Sequence, residues 1–217
     1  MIKDQEYKIY GRKRARQKKR LNNTYELSSY LNNNINLKNG YSYILDIGSG
    51  SGENSLYLSN IYPDSKIIAC DIFLDGNYNL SSKIIERNLN NILIYNGNVN
   101  EFLDSNKITN IFDSVWILFP DPWPKKKHFK RRLLNKNFML KLVKFIKKNG
   151  SVHIATDSQS YLRQILSVIY NIKKYFLWIN QNRISWEFDV NILPETKFYK
   201  KAIKYNRKPI YMILKKL

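Results

Sequence analysis

The sequence predicts an α/β protein built on a mostly parallel sheet with helices on both faces. From residue 43 onward, short apolar runs alternate with stretches of helical periodicity. The apolar runs have the length and composition of buried strands. The alternation repeats at the spacing of βαβ units, which place neighbouring strands parallel and cover the sheet from both sides.

The elements follow from these runs in order. Strands are predicted at 43–47, 66–72, within 91–97, at 112–119, at 151–156, and near 175–180 and 208–214. Helices are predicted at 52–62, at 76–90, at 131–150 with Gly150 as its stop, and at 157–172 with Asp157 as its cap. Because ligands bind beyond the carboxyl ends of parallel strands, the residues that follow each strand are the candidates for function.

Charge predicts the class of partner. The 217 residues carry 37 Lys and Arg against 17 Asp and Glu, a net charge of +20. The cations cluster at 12–20 and 125–132, which favours a polyanionic partner such as nucleic acid over a merely solvated basic surface. We interpret 1–38 as a basic N-terminal arm and 39–217 as one folded domain.

Several classes are disfavoured. No apolar stretch approaches the roughly 20 residues of a membrane span, and the basic start lacks the apolar segment of a secretory signal. Cys70 is the one cysteine and there are two histidines, so neither an internal disulfide nor a zinc site is expected. These features predict a cytoplasmic protein without a metal.

A glycine loop follows the first predicted strand in "LDIGSGSGEN". Gly48, Gly50 and Gly52 let the backbone turn tightly and approach a ligand. Glu53 stands where a dinucleotide fold has a small residue, and its charge would repel a pyrophosphate. Asp46 suits an ammonium group. S-adenosylmethionine carries an ammonium, a sulfonium and no phosphate, so it fits better than a dinucleotide. The alternative is a plain glycine-rich turn.

Two further polar residues follow the next strands. Asp71 ends the second strand at the place where an acid commonly accepts both ribose hydroxyls. Asn98 follows the third strand, where its side-chain oxygen could accept from the adenine amino group. With the glycine loop, these positions have the layout of an adenosylmethionine site.

The fourth strand runs into "LFPDPWPKKKHFKRR", residues 118–132. Pro120, Pro122 and Pro124 fix φ, so the loop holds Asp121 and Trp123 at low entropic cost. Trp123 could stack on a base or brace the loop. The cations that follow suit a phosphate backbone.

These motifs, with "ATDSQSYL" and "TKFYKKAIKYNRKPIYMI", make the chain resemble the TrmB family of tRNA (guanine-N7-)-methyltransferases. The resemblance implies a Rossmann-like class I methyltransferase fold with a mostly parallel, seven-stranded sheet. It also implies methyl transfer from S-adenosylmethionine to N7 of the guanosine at position 46, in the variable loop of tRNA. An exocyclic-amine nucleic acid methyltransferase and a non-catalytic RNA-binding protein on the same scaffold are the alternatives.

The resemblance assigns roles to residues. Asp121 is the catalytic candidate, and Tyr199 stands where the family usually has Glu. The cofactor residues are Asp46, Gly48, Gly50, Gly52, Asp71, Asn98 and Asp121; the substrate residues are Lys125, Asp157, Thr196, Lys197, Phe198 and Tyr199. The expected RNA contacts are Lys126, Lys127, Lys130, Arg131, Arg132, Arg12 and Arg16. The expected partner is tRNA, and the oligomeric state, monomer or homodimer, is left open.

Overall fold

A computed structural model describes residues 29–32, 34–182, 184–187, 189 and 193–217. Arg12, Arg16 and most of the predicted arm lie outside the described residues. The strands are β1 Leu31–Asn32, β2 Tyr43–Ile47, β3 Lys66–Asp71, β4 Ile92–Asn96, β5 Phe112–Leu118, β6 Ile146–Thr156, β7 Phe176–Trp178 and β8 Ile210–Lys216. The helices are α1 Glu53–Ile61, α2 Leu74–Glu86, α3 Val99–Ser105, α4 Lys136–Val143, α5 Gln159–Asn171 and α6 Lys197–Lys204.

The strands form one mixed sheet in the order β1-β4-β3-β2-β5-β6-β8-β7. Pairing is parallel from β1 to β6, and β8 runs antiparallel between β6 and β7. The predicted fold class is confirmed, with the two-residue β1 added to the seven expected strands. Along the chain, β3 and β4 are added on one side of β2. The chain then returns to the other side of β2 with β5, and β6, β7 and β8 extend the sheet in that direction. The switch point between β2 and β5 is where such sheets bind ligands.

Alternation along the strands produces two apolar layers. Leu45 and Ile47 of β2 belong to a cluster with residues of α3, α4 and α5, while Ile44 belongs to a second cluster. The second cluster contains Leu58 of α1 and Leu80 of α2. Both faces of the sheet are therefore covered by helices, as the strand–helix alternation predicts. Within the described part of the chain, no helix is long and apolar enough to cross a membrane.

The predicted helix at 131–150 is wrong in both bounds. Residues Lys126–Arg131 form a 3₁₀ helix, and α4 begins only after Asn135, whose side chain accepts from the backbone N–H of Phe138 at 3.0 Å. After α4 the chain enters β6, which contains Gly150. A Cβ added to Gly150 would lie 2.9 Å from the carbonyl oxygen of Asp113. That glycine allows close strand approach and does not stop a helix.

Candidate active site

Three predicted acids meet at the carboxyl edge of the sheet. Asp46 lies one residue before the end of β2, Asp71 ends β3, and Asp121 lies in the loop that follows β5. Since β3 and β5 both pair with β2, these positions are adjacent. The charge of Asp71 contributes to raising the pKa of both other carboxyls, after the larger effect of burial. Such mutual repulsion favours a cationic ligand between them.

The glycine loop has the backbone that its sequence predicts. Gly48, Gly50 and Gly52 have φ values of 75°, 58° and 79°, which residues with a side chain rarely adopt. The carboxylate of Asp71 accepts from the N–H of Gly50 at 2.7 Å through one oxygen and from the N–H of Phe73 at 2.8 Å through the other. Asp71 thus fixes the loop directly, in addition to its predicted role toward a ribose.

Gly76 in α2 is a residue that the sequence reasoning missed. A Cβ built there would lie 2.1 Å from the carbonyl oxygen of Gly50. The helix can therefore approach the glycine loop this closely only without a side chain. A glycine early in a predicted helix was the available signal, because that residue weakens a helix unless a close contact requires it.

Asp46 is 2% exposed and lies beneath the loop. Its carboxylate accepts from the Nδ2 of Asn54 at 2.9 Å and from the Oγ of Ser55 at 2.5 Å, both at the start of α1. Burial raises the pKa of Asp46 from 3.8 to about 6, against the lowering effect of these two hydrogen bonds. The carboxyl therefore titrates closer to neutral pH than an ordinary aspartate does, and a nearby cation would favour its ionised form.

Asn98 has a structural contact of its own. It precedes α3, and its side-chain oxygen accepts from the N–H of Asn100 at 2.8 Å as the N-cap. The residue is half-buried beside Gly97, after the end of β4. Its predicted contact with adenine stays a prediction, to be made by the same side chain that caps the helix.

The proline loop after β5 is strained on both sides of its acid. Phe119 and Trp123 have φ values of 52° and 39°, in the left-handed region that bulky residues avoid. Strain of this kind persists where surrounding contacts fix it, and it is commonest at functional sites. Asp121 lies between them, exposed overall, with a carboxyl whose partial burial raises its pKa.

Trp123 contacts the basic segment that follows it. The guanidinium of Arg131 lies 5.0 Å from the ring centroid, and the ring of His128 meets it edge-on at 5.7 Å between centroids. These contacts brace the loop against the 3₁₀ helix. They match one of the two roles that the sequence leaves open for Trp123.

The predicted RNA contacts divide into exposed and buried residues. Lys125, Lys126, Lys127 and Lys130 are exposed beside the proline loop, and Arg131 is half-buried. Arg132 is 1% exposed, with its guanidinium committed to hydrogen bonds inside the protein. The prediction that Arg132 contacts RNA is therefore wrong, because its side chain does not reach the surface.

The segment from Thr196 to Tyr199 lies over the glycine loop. Thr196 caps α6 by accepting from the N–H of Tyr199 at 3.2 Å. Lys197 donates its backbone N–H to Glu53 at 2.8 Å and its ammonium to Ser51 at 2.6 Å. Burial raises the pKa of Asp71, and the charge of Lys197 partly offsets that shift. These predicted substrate residues thus adjoin the predicted cofactor residues.

The side chains beside Lys197 point in different directions. Phe198 is 43% exposed, whereas Tyr199 packs half-buried against the second apolar cluster. Tyr199 therefore fills core space in this chain.

Asp157 does not cap a helix as predicted. α5 begins at Gln159 after Ser158, and Asp157 instead pairs with Arg207, Nη1 to Oδ2, at 3.0 Å. The ion pair connects the end of β6 to the residues that precede β8. Asp157 consequently lies at the same sheet edge as the other predicted substrate residues.

The described part of the chain also has a groove that none of the predicted site residues lines. This groove of about 720 Å³ lies between α1 and α2, lined by residues such as Tyr57, Lys83 and Arg87. It extends from Glu53, at the start of α1, to Asn88–Asn91 at the amino edge of the sheet, and none of the three acids lines it. In the described residues, no group of three His, Cys, Asp or Glu is placed to hold a metal ion.

The fold and the carboxyl-edge site define an α/β protein of the methyltransferase class. A family model described as "Putative methyltransferase" matches residues 41–212. An rRNA methylase from Streptococcus thermophilus has the same fold, with a TM-score of 0.55 at 14% identity over 88% of this chain and 92% of that one.

Closer relatives identify the family. A tRNA (guanine-N(7)-)-methyltransferase of Wolbachia pipientis wMel is 37% identical over 164 residues, which is 76% of this chain and 70% of that protein. The chain therefore belongs to the TrmB family, as its motifs predict. A "Bifunctional methyltransferase" of Rickettsia felis is 32% identical over 170 residues, and the chain spans only 32% of that relative's length.

Proposed function

We propose that the chain transfers a methyl group from S-adenosylmethionine to N7 of guanine in tRNA, at position 46 of the variable loop. One observation carries the proposal beyond family membership. Asp121 lies in the proline loop between the strained Phe119 and Trp123, close enough to Asp71 for that charge to contribute, after burial, to raising its pKa, and exposed lysines follow it directly. A methyl donor, a purine and an RNA backbone would need these three features side by side. The proposed domain is 39–217, in a cytoplasmic enzyme with a basic arm at 1–38.

The residues present fit such a cofactor. Ser49 Oγ and Asn54 Oδ1 are buried beside the glycine loop without a hydrogen-bond partner in the described residues. Buried polar atoms of this kind are costly unless a ligand or water satisfies them. Space is open at Gly48, where an added Cβ would meet nothing within 4 Å. Asp46 and Asp71 supply negative charge for a ligand that carries an ammonium and a sulfonium.

S-adenosylmethionine, when bound, supplies a methyl group on a positively charged sulfur. Guanine N7 has an in-plane lone pair and no proton, so no base is needed before it attacks. The task of this chain is then to align N7 with the methyl group and to exclude water. Positive charge arrives on the purine during transfer, and the carboxylate of Asp121 would stabilise it. Asp121 could also accept from guanine N1–H and the 2-amino group, which adenine cannot offer.

The exposed lysines would bind the RNA backbone while the base leaves its tertiary pairing. Recognition would depend mainly on the shape of tRNA, since A-form helices expose little sequence.

Methyl transfer from labelled S-adenosylmethionine to bulk unmodified tRNA, followed by nucleoside analysis, tests the proposal. We expect label in 7-methylguanosine, and loss of label from a tRNA whose variable-loop guanosine is replaced by adenosine. Label in N6-methyladenosine would indicate the exocyclic-amine alternative instead. Tight tRNA binding with no transfer and no calorimetric binding of S-adenosylhomocysteine would indicate a non-catalytic RNA-binding protein.

A further inference from the structure

Arg132 is a buried cation inside a run of exposed cations. Its guanidinium lies 3.6 Å from the ring centroid of Phe129 and 4.9 Å from that of Tyr161. In the described residues, no carboxylate lies within ion-pair distance of it. Burying a charge without a counter-ion is costly, and an apolar side chain of similar size would fill this space more cheaply. Stability alone therefore does not account for an arginine at this position.

The hydrogen bonds of Arg132 connect two parts of the candidate site. Its Nε donates to the carbonyl oxygen of Pro122 at 2.8 Å, next to Asp121. Its two terminal nitrogens donate to α5, with Nη1 at 3.1 Å from the carbonyl oxygen of Ser160, Nη2 at 2.9 Å from Ser160 Oγ, and Nη1 at 3.0 Å from Gln164 Oε1. The planar fork matches this set of neutral acceptors, which a lysine ammonium could not span.

The prolines fix φ angles in the loop that Arg132 contacts, but they leave it few backbone N–H donors to hold it against the rest of the protein. Pro120, Pro122 and Pro124 have no N–H to donate, and both Phe119 and Trp123 are strained. The N–H of Phe119 donates to the carbonyl oxygen of Ala155 at 2.8 Å and fixes the start of the loop to β6. The bond from Arg132 to Pro122 fixes its middle, one residue after the acid.

Tyr161 supports the arginine from α5. Its hydroxyl accepts from the N–H of Leu134 at 2.8 Å, so the same buried tyrosine contacts the guanidinium and the chain just after it. The arginine thus occupies a fixed position between the loop and α5.

We propose that Arg132 is a positioning residue that holds Asp121 in its reactive place by bonding Pro122 to the start of α5. It acts through Pro122 and contacts neither RNA nor cofactor. The inference rests on the proposed function for its kinetic consequence, while its structural consequence, an ordered proline loop, can be measured without any activity.

Arg132→Lys tests the proposal, with Lys130→Gln as the control for a lost surface cation. In Arg132→Lys we expect kcat to fall roughly ten- to a hundredfold, because small misplacement of a reacting group costs this much. Its affinities for tRNA and for S-adenosylhomocysteine should stay within about twofold of the wild-type values. Lys130→Gln should instead weaken tRNA binding and raise the KM for tRNA, which is the pattern of a surface RNA contact.

Hydrogen exchange of a peptide covering 118–128 provides the readout that does not depend on methylation. The amides of Asp121 and Trp123 should exchange faster in Arg132→Lys and at the wild-type rate in Lys130→Gln. Should Arg132→Lys fail to fold, Ser160→Ala and Gln164→Ala each remove one acceptor from the far end of the fork and should reproduce a weaker form of both effects.

Three results would overturn the inference. Unchanged exchange in the loop would show that Arg132 does not order it. An unchanged kcat with loss of tRNA affinity would make Arg132 an RNA contact, and an unchanged kcat with only lower thermal stability would make it structural. Absence of N7 methylation by the wild-type protein would instead count against the proposed function, and the exchange data would still decide the role of Arg132 in the loop.

Discussion

At the scale of single residues, Asp46 illustrates a conflict between stability and function. Its carboxyl has an ordinary pKa of 3.8 that burial raises to about 6 in the folded protein. The folded state therefore binds this proton more tightly than the unfolded chain does. The resulting stabilisation is complete below about pH 4 and is lost as the pH rises through 6. At neutral pH the ionised group costs up to about 3 kcal/mol of folding free energy.

Asp46→Asn should consequently make the protein more stable at pH 7.5, by roughly 1–3 kcal/mol in urea unfolding. The advantage should shrink by about 1 kcal/mol at pH 5, where the wild-type carboxyl is largely protonated. Affinity for S-adenosylhomocysteine should fall, because the charge opposite the ammonium is lost. Asp104→Asn, in an exposed ion pair with Lys141, is the control and should change stability by less than about 0.5 kcal/mol. Equal stability of Asp46→Asn and wild type at pH 7.5 would contradict this account.

Asp121 should determine the acid limb of activity. Partial burial and then Asp71 raise its pKa, and only the ionised form can accept from guanine or stabilise the arriving charge. As the pH falls, kcat/KM for tRNA should decline at a higher pH than an ordinary aspartate would give. Asp121→Asn should lower kcat by about 10²- to 10³-fold and remove this limb, with tRNA binding largely preserved. Initial rates from pH 4.5 to 8 at saturating cofactor measure both effects, and near-normal turnover of the variant would exclude a catalytic role.

At the scale of elements, the strands were predictable and the connections near the proline loop were not. A buried strand is a short apolar run, and this pattern is visible in sequence at β2, β3 and β5. The helix predicted at 131–150 rested on apolar residues at helical spacing. Of these, Leu134 precedes α4 and Phe145 follows it, although both are buried. These apolar residues share one buried face, but they lie in the loop before α4, in α4 itself and in the segment after it. Their helical spacing alone therefore could not locate the ends of the helix.

The site residues also divide into those that the sequence could predict and those that it could not. The glycines and Asp71 were predictable, because positive φ and strand ends leave signals in sequence. The burial of Arg132 was not, since its acceptors at Pro122, Ser160 and Gln164 come together only in the fold. In sequence it is one cation among six, and nothing local separates it from Arg131.

The contact between α2 and the glycine loop leads to a prediction at this scale. Gly76→Ala would ordinarily strengthen a helix by up to about 1 kcal/mol. Here the new methyl group would lie 2.1 Å from the Gly50 carbonyl oxygen and 2.5 Å from the ring of Phe73, so α2 or the loop must shift. We expect lower thermal stability and at least roughly tenfold weaker binding of S-adenosylhomocysteine by calorimetry. Ser82→Ala, farther along α2, should leave binding unchanged. A Gly76→Ala protein with wild-type affinity would show that the loop tolerates displacement.

At the scale of the whole molecule, the cations behind the net charge of +20 can be sorted by the edge of the sheet at which they lie. The 3₁₀ helix places its lysines at the carboxyl edge of the sheet, where the three acids and the glycine loop also lie. Helices that connect parallel strands end at the opposite edge, so the lysines after α4 and α5 lie far from the site. Two sets of equal charge are therefore available, one beside the proposed active site and one away from it.

Replacing Lys125, Lys126 and Lys127 with Ala should raise the KM for tRNA and flatten its salt dependence, lowering the slope of log K against log salt by about 2. The control replaces Lys144, Lys173 and Lys174, three exposed lysines at the amino edge, and removes the same charge. If tRNA bound through net charge alone, both triple variants would lose affinity equally. A local interface instead requires a large effect at the 3₁₀ helix and a small one at the amino edge. Equal losses would show that the basic segment is only a solvated surface. tRNA would then have to reach Asp121 by contacts elsewhere on the chain.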